Sequence, residues 1–269
     1  MGRLIISAAL VLLAALSCSK SEQRSYYSDP DAVHFSAGVS SDTKTSPIGT
    51  GAEQTKFNIG DKIAISDGGA FFTYVLGTEG WAPENPAKFI RWTSASTTFK
   101  AYYPVRDGVS FSSASLPADQ STGDAIASAD WMTATSTLSK PQSGFNVDLQ
   151  FQRKTARVKV TIDKFLDEFD GKNPTIESLS VCGTKACTVN EAYYALLLPR
   201  SADAGSEFLT LTVSFTGGSK DLVVRGIPAL EEGKTYSYSL TVGKSTVKVA
   251  NVMVSDWGSG SESNGEAIN

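Results

Sequence analysis

Residues 33–39 read Val33-His34-Phe35-Ser36-Ala37-Gly38-Val39, and this stretch decides the fold class. Apolar side chains stand at positions 33, 35, 37 and 39, with small or polar side chains between them. Successive side chains of a β-strand point to opposite faces, so this period of two predicts a strand with one buried face. His34 falls on the other face, where we expect a solvated strand residue rather than a ligand or a base.

Strand patterns of the same kind continue along the chain, separated by Gly, Pro, Asn and Asp. They occupy residues 57–65, 71–76, 88–92, 98–103, 145–151, 156–162, 209–215 and 236–242. Between residues 151 and 156 the apolar positions change from odd to even, which predicts a bulge or a crossing between sheets. Many short strands with frequent turns favour an all-β protein of the β-sandwich type, with a domain boundary near this phase change.

The N-terminus predicts an exported protein. Arg3, an apolar run over residues 4–16 and Ser17-Cys18 are typical of a bacterial lipoprotein signal, in which Cys18 is acylated and becomes the new N-terminus. Plain secretion is the alternative, and the run is too short to span a bilayer comfortably. We predict the following limits: signal peptide 1–17, flexible tether 18–30, N-terminal β-sandwich domain 31–154, C-terminal β-sandwich domain 155–258 and disordered tail 259–269.

The composition argues against several functional classes. With a net charge of −4, one histidine and no basic block, the chain is not expected to bind nucleic acid. A Ser-His-Asp triad would have to use His34, close to the predicted tether, and no glycine-rich phosphate loop or calcium-loop spacing is present. We therefore expect no enzyme activity, no cofactor and no metal site.

Three further side chains are candidates for a chemical role. Cys182 and Cys187 are separated by four residues, a spacing that an oxidising compartment and a turn between strands would allow to form a disulfide. Two free buried thiols are the alternative. Trp81 stands near Pro83 in a predicted loop and is the best candidate for an exposed aromatic residue that contacts a ligand.

Several short runs together resemble the fimbrillin family, the exported lipoprotein precursors of the protease-dependent (type V) pili of anaerobic Gram-negative bacteria. They follow one another over nearly the whole mature chain and are Phe35-Ser-Ala-Gly, Gly60-Asp61-Lys-Ile63, Phe99-Lys-Ala-Tyr-Tyr-Pro104, Leu116-Pro-Ala-Asp-Gln120, Asp130-Trp-Met-Thr-Ala134, Leu149-Gln-Phe151, Ala156-Arg-Val158, Gly233-Lys-Thr-Tyr236 and Trp257-Gly258. Members of the family often carry a histidine shortly after the Leu-x-Phe run. Here Gln152, Arg153 and Lys154 stand in its place, which we interpret as a surface variation.

The resemblance implies two tandem transthyretin-like β-sandwich domains and maturation by a trypsin-like protease. In this family the protease cuts the loop after the first strand, and a strand from a neighbouring subunit fills the groove that is left. In this chain Val33, Phe35, Ala37 and Val39 would belong to the removable strand, and Lys44 is the candidate cleavage site. If Lys44 is not cut, the protein stays a closed, lipid-tethered monomer.

The predicted role is a structural pilus subunit at the outer membrane and cell surface. The tail after Trp257 lacks the alternating apolar residues of a donor strand, which favours a tip, accessory or anchor subunit over a stalk subunit. Its expected partners are other fimbrillin-like subunits, the maturation protease and the outer membrane through the lipid anchor. The alternative is an uncleaved surface lipoprotein that binds a host glycan or protein through Trp81.

Overall fold

The computed structural model describes residues 25–39, 57–140, 146–169, 174–257 and 263–264. In these ranges the protein folds into β-strands joined by turns and loops, with one short helix, so the all-β prediction is confirmed. The first half contains β1 (His34–Val39), β2 (Lys62–Ser66), β3 (Phe72–Gly77), β4 (Gly80–Pro83), β5 (Ser96–Tyr103), α1 (Gly123–Ser128), β6 (Met132–Ser139) and β7 (Asn146–Arg153). The second half contains β8 (Ala156–Phe165), β9 (Thr175–Val181), β10 (Thr184–Lys185), β11 (Cys187–Val189), β12 (Ala192–Leu197), β13 (Asp203–Phe215), β14 (Gly218–Ile227), β15 (Lys234–Val242), β16 (Val247–Asp256) and β17 (Ser263–Asn264).

Strands β1 to β7 form one sheet in the order β1-β7-β6-β5-β2-β3-β4. Strands β1 and β7 run parallel, and the other neighbours are antiparallel. Within the described residues, β6 pairs with β7 only at Met132↔Arg153 and Thr133↔Gln152, so the two strands part beyond this point. The sheet therefore folds over on itself, and side chains from both parts share one apolar core.

The second half forms a β-sandwich of two sheets. One sheet has the order β10-β9-β13-β14 and the other β11-β12-β8-β15-β16-β17. Their apolar side chains meet in a common core, in which Leu179 and Leu211 come from the first sheet and Val158 and Leu240 from the second.

The phase change between residues 151 and 156 marks a crossing between sheets. Strand β7 ends at Arg153 in the first sheet, and β8 begins at Ala156 in the six-stranded sheet. The two largest apolar clusters also divide here, over residues 26–151 and 156–242. A third cluster joins the halves, because Ile126 and Ala129 pack with residues of the second half that include Trp257. The domain limits and the transthyretin-like topology stay predictions.

The predicted ends of the folded region were wrong at both termini. Residues 25–30, assigned to a flexible tether, begin with a folded segment in which Tyr26 is only 3 % exposed and packs 5.5 Å from the Phe89 ring. The predicted disordered tail contains β17, whose Ser263 and Asn264 pair with β16. One aromatic residue can anchor an otherwise polar segment, and backbone pairing needs no apolar side chain, so composition alone did not reveal either feature. The predicted signal peptide and Cys18 lie outside the described residues.

Candidate functional site

The inward face of β1 belongs to the core of the first sheet. Val33 is fully buried and Phe35 is 3 % exposed. The Phe35 ring makes edge contacts with Tyr74, at 5.0 Å between centroids, and with Phe99, at 5.5 Å. Ala37 and Val39 are half-buried and pack against the same cluster. The four apolar side chains of the predicted removable strand therefore point to one side, into a core that β3 and β5 also build.

The backbone of β1 and of the residues just before it is bonded to two other segments of the chain. On one side it runs parallel to β7 in unbroken register, from His34↔Asn146 to Val39↔Phe151. On the other side the chain just before β1 pairs with residues 90–92: Val33 N donates to Ile90 O at 3.0 Å, and Trp92 N donates to Asp31 O at 2.8 Å. Residues 31–39 are thus held by residues 90–92 at their start and by β7 along β1, and we call the place that they occupy the β1 groove.

Removal of β1 from the β1 groove would cost the protein much of its stability. Full burial of a valine or phenylalanine side chain stabilises a protein by about 1.5–3 kcal/mol, so Val33, Phe35 and the half-buried Val39 together contribute roughly 4–7 kcal/mol. Without β1, water would reach apolar side chains that are now buried: the rings of Tyr74 and Phe99 and the side chain of Leu149. The backbone of β7 would also lose its ladder, and an unpaired apolar strand edge promotes association with another strand.

A set of polar contacts holds the segment that precedes β1. Tyr26 Oη lies 2.8 Å from His34 Nδ1 and donates to the Trp81 carbonyl at 3.4 Å. Burial raises the pKa of the Tyr26 phenol to about 12. The Arg91 guanidinium binds Asp29 at 2.8 Å. The sequence analysis did not predict these contacts. The Tyr26-Tyr27 pair inside a polar stretch was the one signal that could have indicated them.

Two of the sequence-predicted site residues cannot be related to the β1 groove. Lys44 and Cys18 lie outside the described residues. In the described part of the chain, no helix is long and apolar enough to cross a membrane. Across the same residues, no group of three or more His, Cys, Asp or Glu side chains is placed to hold a metal ion.

Trp81 was predicted to be an exposed loop residue, and that expectation was wrong; its contact with a ligand stays a prediction. It lies on β4, pairs with Leu76 of β3 and is only 6 % exposed. Its ring makes an edge contact with Phe57 at 5.3 Å. The Gly80-Trp81-Ala82-Pro83 run looked like a loop because it is short and ends in proline, but a short edge strand tolerates proline.

Cys182 and Cys187 are both free cysteines, so the disulfide that their spacing allowed is not formed. Cys182 stands in a tight turn with a positive φ of 48° and packs against the core of the C-terminal sandwich. Cys187 lies on β11 and belongs to the cluster that joins the two halves. The turn between them directs the two side chains into different clusters. Burial raises the pKa of both thiols.

Arg153 is not a surface residue, which corrects our interpretation of residues 152–154. Its side chain is fully buried and its Nε donates to both carboxylate oxygens of Asp130, at 2.9 and 3.1 Å. The Arg153 guanidinium also lies over the Trp257 ring, 4.6 Å from its centroid, and Arg157 lies 4.9 Å from the same ring. This arrangement, which we call the junction cluster, ties the end of β7 to the C-terminal half of the chain.

Comparison with known proteins identifies the family. The model of the fimbrillin-like family matches residues 48–188, which is just over half of the 269-residue chain. Among curated proteins no sequence matches.

Solved structures with the same fold include two from Bacteroides species. A candidate cell adhesion protein from Bacteroides ovatus superposes with a TM-score of 0.58 at 13 % identity, covering 85 % of this chain and 98 % of that one. A candidate cell adhesion protein from Bacteroides uniformis gives 0.52 at 19 % identity, covering 84 % and 99 %. At these identities the structures support the fold, and the family match supports the assignment. The chain belongs to the fimbrillin-like family.

Proposed function

We propose that this protein is a structural pilus subunit that assembles by strand exchange after proteolytic removal of β1. The observation that carries the proposal is the position of β1: its inward side chains complete the core, its backbone pairs with β7, and the residues just before it bond to residues 90–92. A strand from another subunit could restore both the backbone ladder and the apolar contacts, as in other cases of strand addition.

The order of the chain makes a cut at Lys44 suitable for this purpose. Lys44 follows the last residue of β1, Val39, by five positions and precedes β2, which begins at Lys62. After cleavage there, β1 would be held by non-covalent contacts alone. The removed piece would also carry Cys18, so that one cut would release the subunit from its lipid anchor and open the β1 groove.

We assign the subunit to the tip, an accessory position or the membrane anchor. Residues 259–269 are Ser, Gly, Glu, Asn, Ala and Ile without the alternating apolar side chains that a donor strand needs. A subunit that accepts a strand but donates none would end a polymer. Its location would be the outer membrane while lipidated at Cys18, and the fimbrium at the cell surface once assembled with other fimbrillin-like subunits.

Mild trypsin treatment of the purified protein tests the proposal. We expect a cut after Lys44 that leaves Thr45 as the new N-terminal residue, followed by loss of the β1 fragment and formation of detergent-resistant oligomers. Because the tail is not expected to donate a strand, a second fimbrillin-like subunit that carries a donor strand is supplied. The Lys44→Gln variant is the matched control and should stay an uncut monomer. A cut protein that keeps its β1 fragment and stays monomeric with donor present would contradict the proposal.

The alternative role, an uncleaved lipoprotein that binds a ligand through Trp81, loses its basis because that ring is buried.

A further inference from the structure

A polar cavity of about 350 Å³ opens on the outer side of the first sheet. It lies where β6 and β7 separate, beside Thr133 and Gln152, the last two residues that pair between these strands. Phe111, from the loop between β5 and α1, lines the cavity together with Thr135, Gln150 and Lys154. The divergence of the two strands explains why the cavity exists, since paired strands would leave no space there. We call it the Phe111 cavity.

The lining groups have hydrogen-bonding capacity that the protein leaves unused. Within the described part of the chain, the side chains of Thr133, Thr135 and Gln152 make no hydrogen bond to protein. Each hydroxyl can both donate and accept, and the amide of Gln152 offers a carbonyl oxygen and an NH2 group. Gln150 is partly engaged, because its Nε2 donates to Asp148 at 2.7 Å.

The aromatic ring and the charges narrow the class of ligand. Phe111 is half-buried, and Lys100 Nζ lies 5.4 Å from its ring centroid. The cavity lining contains no carboxylate, and Lys154 is already bound to Glu232 at 2.7 Å. A phosphate ligand would call for a denser group of cations or backbone N–H donors, and an apolar ligand would leave the hydroxyls and the amide without partners.

We propose that the Phe111 cavity binds one sugar unit of a glycan. The hydroxyls of Thr133 and Thr135 and the amide of Gln152 hydrogen-bond the sugar hydroxyls, and the Phe111 ring packs against the C–H groups of one sugar face. A few convergent polar groups beside an aromatic surface, in a cavity of a few hundred Å³, is the usual composition of a small-ligand site. The proposal does not depend on strand exchange, because every one of these residues is present in the uncut chain.

Binding of the full, uncut protein to a panel of immobilised neutral and acidic oligosaccharides tests the proposal, followed by calorimetric titration with any glycan that binds. We expect binding of at least one glycan, weakened about tenfold by Gln152→Ala and by Phe111→Ala, the loss that one good contact produces. Gln152 is exposed, so its truncation leaves the fold intact, which a melting curve checks. Phe71→Ala is the matched control, because Phe71 is a 41 % exposed phenylalanine outside the cavity, and it should bind as the parent protein does.

Three results would overturn the proposal. The first is the absence of binding across the whole panel at millimolar glycan. The second is equal affinity of the Gln152→Ala variant and the parent protein. The third is binding restricted to acidic sugars that Lys100→Gln abolishes and Phe111→Ala leaves unchanged, which would indicate charge attraction outside the cavity.

Discussion

Replacement of Asp130 by alanine should destabilise the protein more than the loss of any surface ion pair. The carboxylate of Asp130 binds Arg153 Nε at 2.9 and 3.1 Å, and the two side chains are 3 % and 0 % exposed. The variant would leave the Arg153 charge buried without its carboxylate partner. Removal of one member of a buried ion pair costs about 3–5 kcal/mol of unfolding free energy.

This loss of unfolding free energy should lower the melting temperature by a measurable amount. For a chain of this size 1 kcal/mol lowers the melting temperature by about 2–4 °C, so the expected loss is about 6–20 °C. The matched control is Glu84→Ala, which removes a carboxylate bound to Lys62 at 2.6 Å with side chains about half exposed. An exposed pair of this kind contributes at most about 1 kcal/mol.

Calorimetry and urea unfolding of Asp130→Ala, Arg153→Met, Glu84→Ala and the double variant Asp130→Ala/Arg153→Met measure these differences. Because the double variant no longer buries the Arg153 charge, we expect it to recover part of the lost stability. The reasoning is refuted if Asp130→Ala costs no more than Glu84→Ala, or if the double variant is as unstable as the sum of its two single variants.

Three further predictions follow from the same contacts. Phe35→Ala should lower the unfolding free energy of the uncut monomer by about 3–5 kcal/mol, measured by urea unfolding, and should speed release of the β1 fragment from the cut protein. Ser36→Ala, on the outward face of β1, should change the unfolding free energy by less than about 1 kcal/mol and leave the release rate nearly unchanged. Burial raises the pKa of Tyr26 from the ordinary 10.0 to about 12, so its neutral form stabilises the folded protein fully below pH 10, and this stabilisation is lost as the pH rises towards 12. The unfolding free energy should therefore fall between pH 10 and pH 12. A phenolate absorbance in which every tyrosine titrates at pH 10 would contradict this prediction. Deletion of residues 259–269 removes the two-residue β17, so it should lower the melting temperature by no more than about 2–4 °C and leave incorporation into oligomers unchanged. Deletion from Trp257 onward should lower the melting temperature further, because it also removes the fully buried Trp257 ring.

The strands were predictable because their alternation is local. The period-two pattern of residues 33–39 and the phase change after residue 151 depend on neighbouring residues alone, and the structure has strands and a sheet crossing there. The same pattern contained a signal that our interpretation passed over. Arg153 continues the odd series of buried positions 147, 149 and 151, so the alternation itself placed it on the inward face.

The remaining features depend on contacts between distant residues. Asp130 and Arg153 are 23 positions apart and meet because β6 and β7 are neighbours. Trp257 reaches the same cluster from the end of the last long strand. The Phe111 cavity exists because two strands of one sheet part, which no local pattern encodes. Sequence periodicity therefore predicts which segments form strands, whereas sites made by the packing of sheets have to be observed.

The central claim is that β1 must leave the β1 groove before assembly, and a reversible cross-link between β1 and β7 tests it most directly. Ser36 and Asp148 are paired in the β1–β7 register, and Ser36 Oγ donates to Asp148 Oδ1 at 3.1 Å. Adjacent strands lie about 4.8 Å apart, within the range of Cα separations that a disulfide spans. The matched control links β5 to β6 through Thr98 and Thr137, whose hydroxyls are 2.8 Å apart and which lie on two strands that do not pair with β1.

The measurement is the yield of detergent-resistant oligomers after cleavage at Lys44 in the presence of a second subunit that carries a donor strand, with Cys182 and Cys187 replaced by alanine. We expect the oxidised Ser36→Cys/Asp148→Cys protein to give no oligomers and to regain full assembly when a reductant opens the disulfide. The oxidised Thr98→Cys/Thr137→Cys protein should assemble in both redox states. Equal assembly of the oxidised and reduced β1–β7 proteins would contradict the account.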